Sequence, residues 1–305
     1  MTYLIILLIL ILLFIIYKYT IRTAVNKVCS PKVRSWEETK EIESEYEQWD
    51  NYDSLEKEDL DFTLDDGYLI HGTFIKSKEK SNKYIILTHG FRYSRLGGVK
   101  YIDIFRENNF NIYLYDLRNH GKNKHDGIIQ MGEQEHKDLA IIIDRIYDKF
   151  GDDIILGLHG ESLGAFSSMY VTTLRSEKIK FIIEDCGYSY TRDELIYQMK
   201  RQMKMPVFFY NRIEKYALKK YNQHWADMDL KPILKNCEIP MLFVHGKSDS
   251  FTPPRMAQEL FNSHKGYKML LLVDDAEHAK SVVTDYKKYK NTVNKFLKNI
   301  KLQNN

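Results

Sequence analysis

The stretch IILGLHGESLG, residues 154–164, decides how the rest of the chain is read. Its apolar run, Ile154 to Leu158, is short enough to be a buried strand, and the residues from Leu163 onward turn to a helical pattern. Between the two, Gly160 and Gly164 flank Ser162. A serine on a sharp strand-to-helix turn takes up strained backbone angles and lifts its oxygen above a sheet. That works only where the neighbouring positions carry no bulk. The pattern makes Ser162 the candidate nucleophile and aims the N–H of Leu163 at a developing oxyanion. The competing role for Ser162 is a helix N-cap, to which glycines on both sides would add little.

Outward from this turn, short apolar runs alternate with helical periods from residue 60 to residue 300. This predicts an α/β fold: an eight-stranded, mostly parallel sheet with helices on both faces. The expected strands are Leu60–Leu64 and Tyr68–Ile75, joined as a hairpin at Asp66-Gly67, then Tyr84–Thr88, Asn111–Tyr115, Ile154–Leu158, Phe181–Glu184, Met241–Val244 and Lys268–Val273. Helices are expected over Val99–Asn108, Gly132–Lys149, Leu163–Ser176, Arg255–Ser263 and Ser281–Ile300. Residues 187–235, about, interrupt the alternation with helical fragments rich in Tyr, Phe and Met, and read as an inserted helical cap. Cap aromatics such as Tyr188, Tyr190, Tyr197, Phe208, Phe209 and Tyr210 suit either the lining of an apolar pocket or an ordinary cap core.

A serine nucleophile needs a base, and His278, in DDAEHAKS immediately after the last strand, is well placed to be it. His89, His120 and His159 lie in other strand-end loops and read as structural. The imidazole in turn needs a carboxylate to orient it. Asp249, in HGKSD after the strand Met241–Val244, fits best, and Asp185, at the end of Phe181–Glu184, is the second candidate. The loop after Tyr84–Thr88 supplies the other oxyanion donor, the N–H of Phe91.

Residues 2–17, TYLIILLILILLFIIY, carry no charge, and with Lys18 able to snorkel the apolar stretch reaches Ile21. With neither a basic region before it nor a small-residue cleavage motif after it, residues 1–21 read as an uncleaved transmembrane anchor, a single pass through the cell membrane. Lys18, Arg22, Lys27, Lys32 and Arg34 follow the span, which puts the bulk of the chain on the cytoplasmic side. Residues 22–59 form a juxtamembrane connector, strongly acidic beyond residue 36, and 301–305 a short tail. A net charge of +3 gives no reason to expect nucleic acid, although Lys200, Arg201, Lys204, Arg212, Lys215, Lys219 and Lys220 make one local basic cluster. Three scattered cysteines suggest neither a disulfide framework nor a metal site, and no cofactor is expected. Gly246-Lys247-Ser248 resembles the end of a phosphate-binding loop, but Met241 stands where the first glycine should be.

In GESLG, ILTHGF, YDLRNHGKN, MLFVHGKSDSFTP and AEHA, in this order, the chain resembles the α/β-hydrolase superfamily. Within it, the chain resembles the bacterial serine-aminopeptidase-like and lysophospholipase-like branch with a single N-terminal anchor. Asn123 departs from the serine that relatives often carry, in a structural loop. The resemblance implies a Ser162–His278–Asp249 triad acting on a small-molecule or lipid acyl substrate, with esters ahead of thioesters and amides. A membrane-tethered peptidase or amidase, and a non-catalytic binding protein on the same fold, are the alternatives.

Overall fold

The computed structural model describes residues 1–301; the tail, beyond Lys301, lies outside them. The chain opens with one 28-residue helix, α1 (Thr2–Cys29). Its apolar first part is exposed on all sides, whereas Ile21, Ala24, Val25 and Cys29 are buried against the rest of the protein. The boundary expected at Ile21 therefore falls inside a helix. The reason is periodic: Ile21, Ala24, Val25 and Val28 repeat at i, i+3, i+4 and i+7, which gives the end of α1 one apolar stripe to pack with. A capping box between Ser35 and Glu38 starts α2 (Trp36–Glu43), and α3 (Gln48–Ser54) follows.

The sheet has eight strands and is mostly parallel, but its first edge differs from expectation. Glu58–Asp59 (β1) is the edge strand, not Leu60–Leu64; Phe62–Thr63 (β2) pairs only with Leu69–Ile70 (β3) in a separate two-stranded ribbon. The predicted strand Tyr68–Ile75 is thus divided, and Gly72–Ile75 (β4) alone joins the main sheet. Asp61 explains the division. Its Oδ1 accepts the Gly72 N–H at 3.0 Å and its Oδ2 meets His71 Nδ1 at 2.8 Å, so side-chain bonds replace the ladder there.

The remaining elements are β5 (Lys83–Thr88), α4 (Ile102–Glu107) after a 3-10 turn at Arg95–Tyr101, β6 (Asn111–Tyr115), α5 (Glu135–Phe150), β7 (Ile155–Glu161), α6 (Leu163–Tyr170), α7 (Thr172–Arg175) and β8 (Phe181–Asp185). Then come α8 (Thr191–Gln202), α9 (Tyr210–Tyr221) and α10 (Leu230–Leu234), followed by β9 (Met241–Gly246), α11 (Arg255–Ser263), β10 (Lys268–Val273), α12 (Ser281–Thr284) and α13 (Tyr286–Asn299). Strand order is β1-β4-β6-β5-β7-β8-β9-β10. The six strands from β6 to β10 run parallel, and β4 and β1 are antiparallel to their neighbours.

Such a sheet must be covered on both faces, and alternate side chains divide accordingly. Ile86, Tyr113, Leu158, Ile182 and Phe243 enter one core with α1, α5, α6, the α8–α10 region and α11. Leu87, Leu114, Ile183 and Val244 enter the other with α4 and α13. Helices α8–α10 form an insertion between β8 and β9, on the first face. There α1 lies against α9: Tyr17 and Phe209 have ring centroids 6.1 Å apart, and the Tyr221 hydroxyl bonds Asn26 Oδ1 at 3.2 Å.

Candidate active site

Parallel strands leave their carboxyl ends pointing the same way, so the loops after them converge on one rim. Ser162 follows β7 there with φ 55° and ψ −112°, a left-handed conformation costing on the order of 1–3 kcal/mol in a non-glycine residue. It caps nothing: no side-chain capping bond is made at the start of α6. The turn can close because its neighbours lack side chains. A Cβ on Gly160 would overlap the Gly164 carbonyl, and a Cβ on Gly164 would overlap the Thr88 carbonyl of β5. The Ser162 N–H donates to the Asp185 carbonyl at 2.8 Å, which fixes the bend to β8.

His278 lies in the loop after β10 with Nε2 3.0 Å from Ser162 Oγ. Its Nδ1 is 2.7 Å from Asp249 Oδ2, in the loop after β9. Ser162 is almost wholly buried, while the His278 side chain keeps 22% of its surface open to solvent. Asp249 is buried, which alone would raise its pKa. Hydrogen bonds from His245 and His278 outweigh that and hold it at about 2. It therefore stays ionised across the physiological range and presents a fixed negative charge to the imidazole. Asp249 Oδ1 also accepts the N–H groups of Phe251 and Thr252, at 2.8 and 2.9 Å, so its carboxylate plane cannot swing.

The alternative carboxylate, Asp185, is buried beneath the turn, where the Tyr101 hydroxyl reaches it at 3.2 Å. Burial, and then the nearby Glu161, raise its pKa to about 6. The His278 bond in this structure goes to Asp249. The other histidines brace loops. His89 Nε2 accepts the Leu117 N–H at 2.9 Å and His120 Nε2 accepts the Arg92 N–H at 3.0 Å. Burial lowers their pKa values to about 4 and about 3, so both stay neutral and able to accept. His159 Nε2 lies 3.0 Å from the Tyr289 hydroxyl, inside the core.

Leu163 is the first residue of α6, so its N–H has no partner within the helix. The loop carrying Phe91 lies directly against the serine: a Cβ on Gly90 would sit 3.4 Å from Ser162 Cβ. Cys186, Asp249 and His278 bring potential metal ligands within 4.8 Å of one another. Their chemistry argues against an ion, because burial keeps the Cys186 thiol protonated, with its pKa well above the ordinary value.

No family model matches the chain. It is 26% identical over 263 residues, 86% of each chain, to YqkD, an uncharacterized protein of Bacillus subtilis (strain 168). It superposes on the Pyrococcus furiosus esterase Pf2001 with a TM-score of 0.65 at 21% identity, covering 81% of this chain and 93% of that one. The α/β hydrolase GrgF of Penicillium sp. sh18 aligns with a TM-score of 0.63 at 16% identity, over 80% of this chain and 99% of that one. The chain has the α/β-hydrolase fold.

On this α/β-hydrolase scaffold, several residues at the site escaped the sequence reading. His245 Nε2 lies 3.2 Å from Asp249 Oδ2 and 2.9 Å from the Thr252 carbonyl. Its signal was in HGKSD, four residues ahead of the aspartate. Lys100, wholly buried, pairs with Glu161 Oε2 at 2.7 Å and donates to the Ala279 carbonyl at 3.0 Å. One ammonium thus ties the serine turn to the histidine loop. Burial by itself would lower its pKa, but Glu161 and Glu43 carry it above the ordinary lysine value. Nothing in the sequence announced this, since the partners are far apart in the chain. Above the site, Tyr197 and Gln198 of α8 bond the carbonyls of Ser250 and Phe251, and the Phe251 ring lies 4.8 Å from the His278 ring. Most of the cap aromatics serve packing. Tyr188 stacks on Phe166 at 4.5 Å, Phe209 packs towards Tyr17, and Phe208 is 71% exposed.

Proposed function

We propose that the protein is a serine hydrolase of carboxylic esters, held at a membrane by α1. The observation that carries the reading is the continuous relay from Ser162 Oγ through His278 to Asp249, with links of 3.0 and 2.7 Å. As His278 Nε2 takes the serine proton, Oγ bonds the substrate carbonyl carbon, and the carbonyl oxygen becomes an oxyanion facing the N–H groups of Phe91 and Leu163. Collapse expels the alcohol, which leaves with the proton from His278. The same imidazole then deprotonates a water, which attacks the acyl-serine and releases the acid. Asp249, ionised throughout, stabilises the imidazolium that forms twice in this cycle.

Esters rank ahead of amides because the similar structure Pf2001 is named an esterase. Membrane attachment is supported by the length and hydropathy of α1 together with its exposed first part, and the cations after it favour a cytoplasmic catalytic domain. An active-site-directed fluorophosphonate should label the full-length protein in detergent, and Ser162→Ala should lose the label. Labelling that survives Ser162→Ala would refute the nucleophile. Protease digestion of intact cells should leave the domain uncut, and cleavage there would reverse the orientation.

A further inference from the structure

The helix expected to cross the membrane does not release the domain through a flexible linker. It continues unbroken into the protein, with Ile21, Ala24, Val25 and Cys29 buried, so the domain's position relative to the span is set by packing. This restricts which surface can meet the bilayer. The apolar run from Thr2 to Ile21 covers about 30 Å at 1.5 Å per residue, the thickness of a hydrocarbon core. Tyr17 lies four residues before Ile21, about 6 Å back along the helix axis. Because the Phe209 ring is 6.1 Å from the Tyr17 ring, the turn between α8 and α9 is held at the depth of the membrane boundary.

That turn has the composition the boundary asks for. Val207 is 42% exposed and Phe208 71% exposed, and Phe208 lies against Phe209 with centroids 4.3 Å apart and the rings tilted by 30°. A phenylalanine held open to water beside an exposed valine has little to recommend it in a soluble cap, but it suits the junction of headgroups and acyl chains. From Lys200 to Tyr221 the chain carries seven lysines and arginines against one carboxylate, Glu214. Lys200, Arg201, Lys204, Arg212 and Lys215, on both sides of the apolar turn, are exposed, as residues bound for an anionic surface must be.

We infer that the Val207–Phe209 turn of the cap is a second membrane contact, inserted into the interface of the same leaflet from which α1 emerges, with the flanking cations on anionic headgroups. The inference rests on reading α1 as a span. It adds that the cap is wetted by lipid, and that the helix ending at this contact, α8, is the one whose Tyr197 and Gln198 touch the loop beside Asp249.

Spin labels on single cysteines in the full chain would test it, in vesicles of phosphatidylcholine and phosphatidylglycerol; the native Cys29, Cys186 and Cys237 are buried. Labels are placed at Phe208→Cys, at Ile9→Cys within the span, and at Glu177→Cys, an exposed position in the turn before β8, at the amino end of that strand and so opposite the end that the α8–α10 insertion follows. Collision with oxygen, relative to a water-soluble nickel chelate, should be several-fold higher at 208 than at 177, and highest at 9. A label at 208 as open to nickel as the one at 177, with 9 still deep, would overturn the cap contact and leave the anchor standing. If position 9 also reads as aqueous, the anchor fails and takes the inference with it. A label at 208 that is immobilised and shielded from both reagents would mean that another protein surface covers the turn, which also overturns the proposal.

Discussion

If α1 is partly a component of the folded domain, removing it should have two separable effects. A chain starting at Lys18 loses the exposed apolar run but keeps Ile21, Ala24, Val25 and Cys29, all buried. A chain starting at Trp36 loses these four, together with the Cys29 carbonyl that accepts the Ile129 N–H at 2.9 Å and the Lys32 carbonyl that accepts Arg92 Nε at 2.7 Å. Burial of Ile21 and Val25 contributes about 2 kcal/mol each, and Ala24 with Cys29 about 1 kcal/mol more. Discounted by about a third for apolar surface already hidden in the unfolded chain, the sum is about 3 kcal/mol. At about 2 °C per kcal/mol for a domain of this size, the shorter chain should melt about 6 °C below the longer one. Differential scanning fluorimetry in a mild detergent reads this directly. Coincident melting curves would refute the claim that the end of α1 is part of the core.

Further outcomes follow from the site. Asp249→Asn should lower ester hydrolysis by about four orders of magnitude while leaving the fold intact, since the imidazole loses its orienting charge. Asp185→Asn should cost far less in a p-nitrophenyl ester assay, and the reverse ranking would reassign the acid. Lys100→Met should destabilise the protein by about 3–5 kcal/mol in urea titrations, because Glu161 and Glu43 are left buried without their cation. Burial raises the pKa of Glu194 in α8 to about 7, so the stability it contributes is complete below about pH 4.5 and is lost as pH rises through 7. Glu194→Gln should therefore melt above the parent protein at pH 9, by up to about 3 kcal/mol, with the difference vanishing near pH 4.5. A constant difference across that range would show that Glu194 is not the titrating group.

The strands from β5 to β10 were legible because each is built on a short apolar run, and β6 to β9 are buried along their whole length, as central strands covered on both faces must be. Ser162, Asp249 and His278 were legible as candidates because each sits just beyond such a run, where strand ends converge. The first sheet edge was not. Glu58–Asp59 pairs through its backbone with both side chains exposed, so it carries no apolar signal, and Asp61 interrupts the neighbouring run by bonds that periodicity cannot register. Lys100, Glu161 and Glu43 each look like ordinary surface charges until the fold brings them together. The packing of α1 on the cap escaped notice for a similar reason: Tyr17 and Phe209 are almost two hundred residues apart, and either alone suits its local surroundings.

Glu43 belongs to α2, between the span and the sheet, and its Oε1 accepts the Tyr93 hydroxyl at 2.7 Å while its charge acts on Lys100. Lys100 in turn grips Glu161, next to Ser162, and the carbonyl of Ala279, next to His278. The segment between α1 and the sheet thus acts electrostatically on the lysine that bridges the Ser162 turn and the His278 loop. On the proposed reading of α1 as a span and of Ser162 and His278 as the reacting pair, tension or tilt applied to α1 would reach the spacing of those two side chains, and the mooring would then be a mechanical member of the reaction centre.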